Sequence, residues 1–394
     1  MTPLGTWVSQ EIGRLLMVSN AEMDRRWKLV RMVMAREGLD WLIGGVGMPG
    51  GYAKWLSNRS TKGTVVVMNG VAFPLEGDAY FFSHGDTVHT TPVDSYGVKH
   101  IVSPSQPNLL VNTPAPLVLD VLRSKKPKKV GFLGMGFIPA AAYECYRKGL
   151  PGVEFVDATD LIVPIKAVKS EEELIFMKRA AEMHDRAVDV VRKTVRPGIT
   201  ANDVVEEVGH FMFLAGSDLH SVRAGSARPG TICKYNGPGE RKMEDGDQFA
   251  MLIECSEQGG YFSEMMPTVC IGKVPPDLQK VFDDVLEAQR IMVDMAMPGA
   301  DPMEILRASD RFMQKKGYPA EARLAGHCQG VDLVERPALS PLGETISLGE
   351  NMVVSFHPTV HGKTAWGYPV NQSFLITADG PKIMTKTPQE IIVV

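Results

Sequence analysis

The chain has 394 residues, 44% of them hydrophobic and 22% charged, with a formal net charge of -4. That is the balance of an ordinary soluble globular protein, long enough for about two domains that each bury a core. No basic field is present to recruit nucleic acid or an anionic membrane surface, so a small-molecule substrate is expected.

The opening stretch MTPLGTWVSQEIGRLL lacks the basic region, apolar core and small-residue cleavage site of a secretory leader, and no apolar run approaches the roughly 18 residues of a membrane span. The five cysteines (Cys145, Cys233, Cys255, Cys270, Cys328) are odd in number and nowhere spaced CxxC. A disulfide framework or structural zinc module is therefore not expected, and a reducing, cytoplasmic location is.

Ser19-Asn20 caps AEMDRRWKLVRMVMAREG, whose apolar residues Trp27, Val30, Val33 and Met34 fall at helical spacing before Gly38 stops the run. LDWLIGG reads as a buried strand, TVVVMNG and DAYFFSH as short strands, and VLDVLRSKKPKKVGFLGMG as helix, basic turn and strand. This alternation indicates an α/β layer. The clustered glycines of GFLGMGF lack the GxGxxG order and are followed at once by Pro139, so a turn after a strand is expected rather than a dinucleotide site.

From Lys166 the character changes. Ser170 and Glu173 form a capping box at the head of a long amphipathic helix, and ANDVVEEVGHFMFLAG forms a second. GDQFAMLIECSEQGGYFSEMMPTVCIG alternates like paired strands about a Gly-Gly turn. Two more helices follow (DLQKVFDDVLEAQRIMVDMAM and PMEILRASDRFMQKKG), with late strands at GENMVVSFHPTV and GYPVNQSFLIT. The expected division is an α/β domain over 1–165 and an α+β catalytic domain over 166–394.

Polar residues inside apolar strands are costly to bury and call for partners. Glu254 ends MLIE, Glu264 follows YFS, His357 interrupts MVVSFHP, and Asn371-Gln372 interrupts GYPVNQSFLI. His327 sits in a glycine-flanked turn, LAGHCQG, where the missing side chains let a substrate or another backbone approach the imidazole.

In order and spacing, AVKSEEELIFMKRAAEM, Gly246-Asp247, DLQKVFDDVLEAQ, GHCQGVDLVERP, ENMVVSFHP and GYPVNQSFLIT resemble the creatinase/aminopeptidase P/prolidase family. The resemblance implies the pita-bread fold for the second domain, a creatinase-type first domain, and a homodimer in which the first domain, with His84 and His89, can cover the partner's site. Metallopeptidases of this family hold two metal ions with two Asp, one His and two Glu. Here Glu254 stands near the first Asp, across a one-residue shift, and Glu264 stands at the second. His327 keeps the ligand histidine, His357 replaces the first Glu, and Asn371 replaces the last. A further histidine of the peptidases reads Val334, beside a preserved Glu335.

Two carboxylates, two imidazoles and an amide offset far less charge than four carboxylates do. A site without metal is therefore expected, in which His327, His357, Glu254 and Glu264 run acid–base chemistry at a C–N bond in the manner that creatinase, which lacks the ligands, suggests. One zinc or iron on those same four residues is the alternative. Creatine itself is not the expected substrate, because SEMMPT puts methionine and proline where a second glutamate and an arginine would stand. Cys233 in the loop SARPGTICKYNGPGER, together with Glu335, Arg336 and Asn371, is expected to bind the substrate, a small, polar, nitrogen-containing compound that is hydrolysed or cleaved by a lyase reaction. Competing readings are a metal-dependent relative of Xaa-Pro peptidases or of sulfonium-compound lyases, and a non-catalytic binding module.

Overall fold

The computed structural model describes residues 18–45, 51–58, 70–83, 96–102, 114–231, 233–237, 239–360 and 369–394. His84, His89, most of TVVVMNG and the opening stretch lie outside the described residues. The chain divides into two compact units, Met1–Lys166 and Ala167–Val394.

In the first unit, α1 (Asn20–Glu37) starts where Ser19 Oγ accepts the Glu22 N–H, and it ends at Gly38 in the left-handed region. Strands β1 (Trp41–Gly44), β2 (Gly70–Pro74), β3 (Ala79–Ser83), β4 (Val98–Val102), β5 (Lys129–Leu133) and β6 (Glu154–Asp157) form one sheet in the order β4-β3-β2-β1-β5-β6. The pairings β1–β5, β5–β6 and β3–β4 are parallel. Helices α2 (Gly51–Ser57), α3 (Ala115–Lys125) and α4 (Ala140–Gly149) complete the layer, and α3 and α4 bury Val118, Leu122, Ala142 and Tyr146 against Ile43, Val130 and Phe132. After β5, Gly134 adopts a left-handed conformation, donates its N–H to Thr159 Oγ1 at 2.8 Å, and opens a single 3-10 turn. GFLGMGF is thus a strand and a turn.

Helix α5 (Thr159–Ala167) leads to the second unit. There α6 (Glu171–Thr194) begins with the capping box Ser170/Glu173, with both reciprocal bonds present, and α7 (Ala201–Leu214) with a second one, Thr200/Asp203. Strands β7 (Leu219–Ala227), β8 (Gln248–Ser256), β9 (Phe262–Met265), β10 (Thr268–Cys270) and β16 (Ile392–Val393) form one sheet in the order β16-β10-β8-β7, with β9 paired to β8 across the Gly259-Gly260 turn. Helices α8 (Pro276–Met295) and α9 (Pro302–Lys315) precede a second, antiparallel sheet. It consists of β11 (Gly326–Cys328), β12 (Glu335–Leu339), β13 (Val353–Phe356), β14 (Gln372–Thr377) and β15 (Gly380–Ile383), in the order β12-β11-β13-β14-β15.

Strand alternation decides which side chains reach the site. In β8, Phe249, Met251, Ile253 and Cys255 pack against Val191, Val204 and Val208 of α6 and α7, whereas Ala250 and Leu252 pack toward Val281 and Val285 of α8. In the second sheet Cys328, Val354, Phe356, Phe374 and Ile376 face Met292, Ile305 and Leu306 of α8 and α9. His327, Ser355 and Ser373 take the opposite face. His327 is not in a turn, as its flanking glycines suggested, but in a short central strand between β12 and β13. A side chain at Gly326 would meet the Ser355 carbonyl oxygen at 2.6 Å, so the glycine is there to let a second backbone, rather than a substrate, come close.

Candidate active site

Glu264, His327 and His357 are all buried, and each presents a ligand atom within 4.8 Å of the others. β9 delivers Glu264, β11 delivers His327, and His357 follows β13 directly, its backbone N–H held by the Ala325 carbonyl at 2.8 Å. His327 Nε2 lies 3.3 Å and His357 Nε2 3.6 Å from Glu264 Oε1. The two rings meet edge to face with centroids 5.2 Å apart.

The same carboxylate oxygen accepts Asn371 Nδ2 at 3.1 Å, and Ser355 Oγ donates to Asn371 Oδ1 at 2.7 Å. That second bond fixes which way the amide points, so its N–H faces the carboxylate. Nδ1 of His327 lies 3.0 Å from the Cys328 carbonyl oxygen, which can only accept, so Nδ1 carries a proton. Nε2 then turns a lone pair toward Glu264 unless a proton or another cation stands between them. This is also the outer-shell bond by which metal-binding histidines are oriented.

Burial works to raise the Glu264 carboxyl, but His327, His357 and Ser355 outweigh it and hold the group well below the usual carboxylate range. Burial likewise works to lower His327, and the Glu264 charge overcomes it, leaving that imidazole more basic than usual. At His357 burial prevails and takes the pKa down to about 4.

Glu254 lies directly opposite Glu264 in the β8–β9 pairing. Ile253, its neighbour in the chain, is in the helix-facing core, so of the two it is Glu254 whose side chain shares a face with Glu264. Glu254 is nevertheless not within the compact triad among the described residues. Its Oε2 is 2.6 Å from Arg223 Nη2, and burial pushes its pKa up.

Three expected substrate contacts are placed differently. Cys233 is fully buried among Ala250, Leu252 and Val285, and its thiol donates to the Gly225 and Gln248 carbonyls at 3.5 and 3.7 Å. Burial pushes that thiol up to about 12, so it is neither a thiolate nor a surface contact. In the native protein at pH 8, peptide mapping after treatment with a thiol reagent is expected to find Cys233 unmodified; labelling faster than global unfolding would contradict its burial. Glu335 is held by the buried Lys169 ammonium at 2.8 Å, and Arg336 forms a two-pronged pair with Glu344 at 3.1 and 2.7 Å. Both are engaged in ion pairs, with residues other than each other. Val334 is 53% exposed, and Asn371 alone of the four expected contacts joins the triad.

Arg223, Ser355 and Lys169 were not singled out in the sequence. Ser355 shares strand parity with His357, a faint signal, but the partners of all three residues depend on strand pairing and packing that no short motif encodes.

A two-ion centre does not fit these residues, since Asn371 points its N–H at Glu264 and Glu254 is paired with a guanidinium. A single ion does fit the donors, because two imidazoles and one carboxylate within 4.8 Å of one another are a donor set that catalytic zinc uses.

Residues 176–378 match the family model described as metallopeptidase family M24. An uncharacterized hydrolase/peptidase, y4tM, of Sinorhizobium fredii is 24% identical over 96% of this chain and 99% of its own. An Xaa-Pro dipeptidase of Pyrococcus horikoshii is 26% identical over 65% of this chain and 73% of its own. Among solved structures, an Xaa-Pro dipeptidase from Bacillus anthracis superposes with a TM-score of 0.75 at 20% identity, covering 94% of this chain and 100% of that one. At that identity the likeness concerns the fold. Among the described residues no helix is long and apolar enough to cross a membrane.

Proposed function

The chain belongs to metallopeptidase family M24, and from that premise we propose that it is a hydrolase of an amide-type C–N bond in a small polar compound, working with one divalent ion held by Glu264, His327 and His357. The observation that carries this is the convergence of the three buried donors within 4.8 Å. The peptidase names borne by its relatives support a metal-dependent hydrolase better than the metal-free expectation.

An ion held there supplies Lewis acidity, polarising a carbonyl and making water more acidic. The protein's own groups do the rest. Asn371 holds the Glu264 carboxylate in place, and Ser355 holds Asn371. The Cys328 carbonyl fixes the His327 tautomer with Nε2 inward, and burial keeps His357 neutral and able to donate a lone pair. The exposed Val334 offers no imidazole where the peptidases carry one, so dipeptides are expected to be poorer substrates than small non-peptide amides. A homodimer remains part of the proposal, to be tested by sedimentation.

Metal analysis and chelation test it together. Purified protein is expected to hold about one zinc-group ion per chain, and its hydrolysis of an amide panel that includes Xaa-Pro dipeptides is expected to collapse on chelation and return with zinc or manganese. Turnover indifferent to the chelator would remove the ion from the mechanism.

That outcome would favour a second reading, supported by the 3.3 Å contact of Glu264 and His327. A proton rather than a metal would lie between them, and the imidazolium would protonate the leaving group of a creatinase-like hydrolase or lyase reaction.

A further inference from the structure

We propose that the guanidinium of Arg223 takes the place of a cation at Glu254 and so limits this centre to a single ion. The inference deepens the one-ion reading and rests on it. Glu254 and Glu264 are directly paired across β8 and β9, and side chains so paired lie about 5 Å apart at Cβ. Two largely buried carboxylates at that spacing repel, and in water-poor surroundings they need compensating positive charge.

Glu264 receives its compensation from His327, His357 and the Asn371 amide. Glu254, with a side chain 12% exposed, receives its own from Arg223, 2.6 Å away. Arg223 is well anchored for this. It sits on β7 two residues beyond Ser221, the direct cross-strand neighbour of Glu254, so its side chain lies diagonally on the same face. Its guanidinium also packs over the Tyr235 ring at 5.4 Å. With the arginine in place Glu254 is occupied. Without it, two adjacent carboxylates form an oxygen-rich cradle of the kind that hard divalent ions prefer.

Because Arg223 is 44% exposed at the edge of its sheet, neutral replacements are expected to fold. The test is a calorimetric titration with manganese at pH 8, with ion counts checked by elemental analysis, on wild type, Arg223→Met, Arg223→Gln, Arg223→Lys and the double variant Arg223→Met/Glu254→Gln. Both neutral variants are expected to bind one ion more than wild type, the lysine variant the same number as wild type, and the double variant again the wild-type number. Equal counts in wild type and both neutral variants overturn the assignment, as Glu254 would if it took up a proton in place of an ion. An extra ion that survives Glu254→Gln overturns it too. The readout is the increment, so it is distinct from the one-ion reading, which fails on its own if wild type binds nothing.

Discussion

Replacing Glu264 with glutamine is expected to lower turnover by more than about 100-fold, the upper range for loss of an outer-shell partner of a metal, with a parallel loss of ion affinity in the same titration. Glutamine keeps the volume and an oxygen but removes the charge that makes His327 basic and that both imidazoles face. It relieves the desolvation of a buried carboxylate but also forfeits the His327, His357 and Ser355 interactions that outweigh it, so a fall of several degrees in melting temperature is expected while the protein still folds. Asn371→Ala acts one bond further out and is expected to cost about 10- to 100-fold. Steady-state kinetics, calorimetry and a thermal melt separate these effects. Undiminished turnover in Glu264→Gln would dissolve the site, and a collapsed melt would make the residue a structural one.

The largest stability effect is expected at Lys169, which takes no part in the proposed chemistry. Its ammonium is 2.8 Å from Glu335 with both side chains almost fully buried, and it also bonds the Ala167 carbonyl at 3.1 Å. Lys169→Met leaves the Glu335 carboxylate buried without its partner, a loss of about 3–5 kcal/mol, or roughly 6–20 °C in melting temperature. The double variant Lys169→Met/Glu335→Leu is expected to regain much of this, since two apolar groups in contact avoid the stranded charge. Recovery is partial because the Asp332 N–H, which Glu335 accepts at 3.2 Å, loses its acceptor. Calorimetric melting of the three proteins gives the ordering directly; a lysine variant melting with wild type would show the pair to be dispensable.

Glu264 and His357 were legible because each interrupts an apolar run, and His327 because glycines flank it in a stretch that keeps the family's spacing. Glu264, His327 and His357 would each be costly to bury alone, and the structure brings them together. That Glu254 rather than Ile253 shares a face with Glu264 was legible only through family spacing, and β8 gives its physical basis: buried on both faces, the strand sorts odd from even residues between two helix layers. Cys233 misled because a Gly/Pro-rich loop suggests access to a site, whereas one residue of that loop turns inward and packs. Glu335 misled because its partner is distant in the chain, ahead of the first helix of the unit. Arg223 and Ser355 acquire meaning only from register, which local composition does not carry. The fold, by contrast, rests on caps, periodicities and turns that are all local, and these the chain displays in order.

The absent side chain at Gly326 separates what in this site is open to change from what is not. The close crossing of β11 over the Ser355 carbonyl is a demand on the backbone alone and is indifferent to which donors stand beside it. Side chains at 357 and 371 are no part of that demand, so substitutions there are expected to leave the strand crossing intact. A scaffold of this kind lets chemistry drift one residue at a time without re-solving the folding problem, and substitution at the glycine would end that freedom at once.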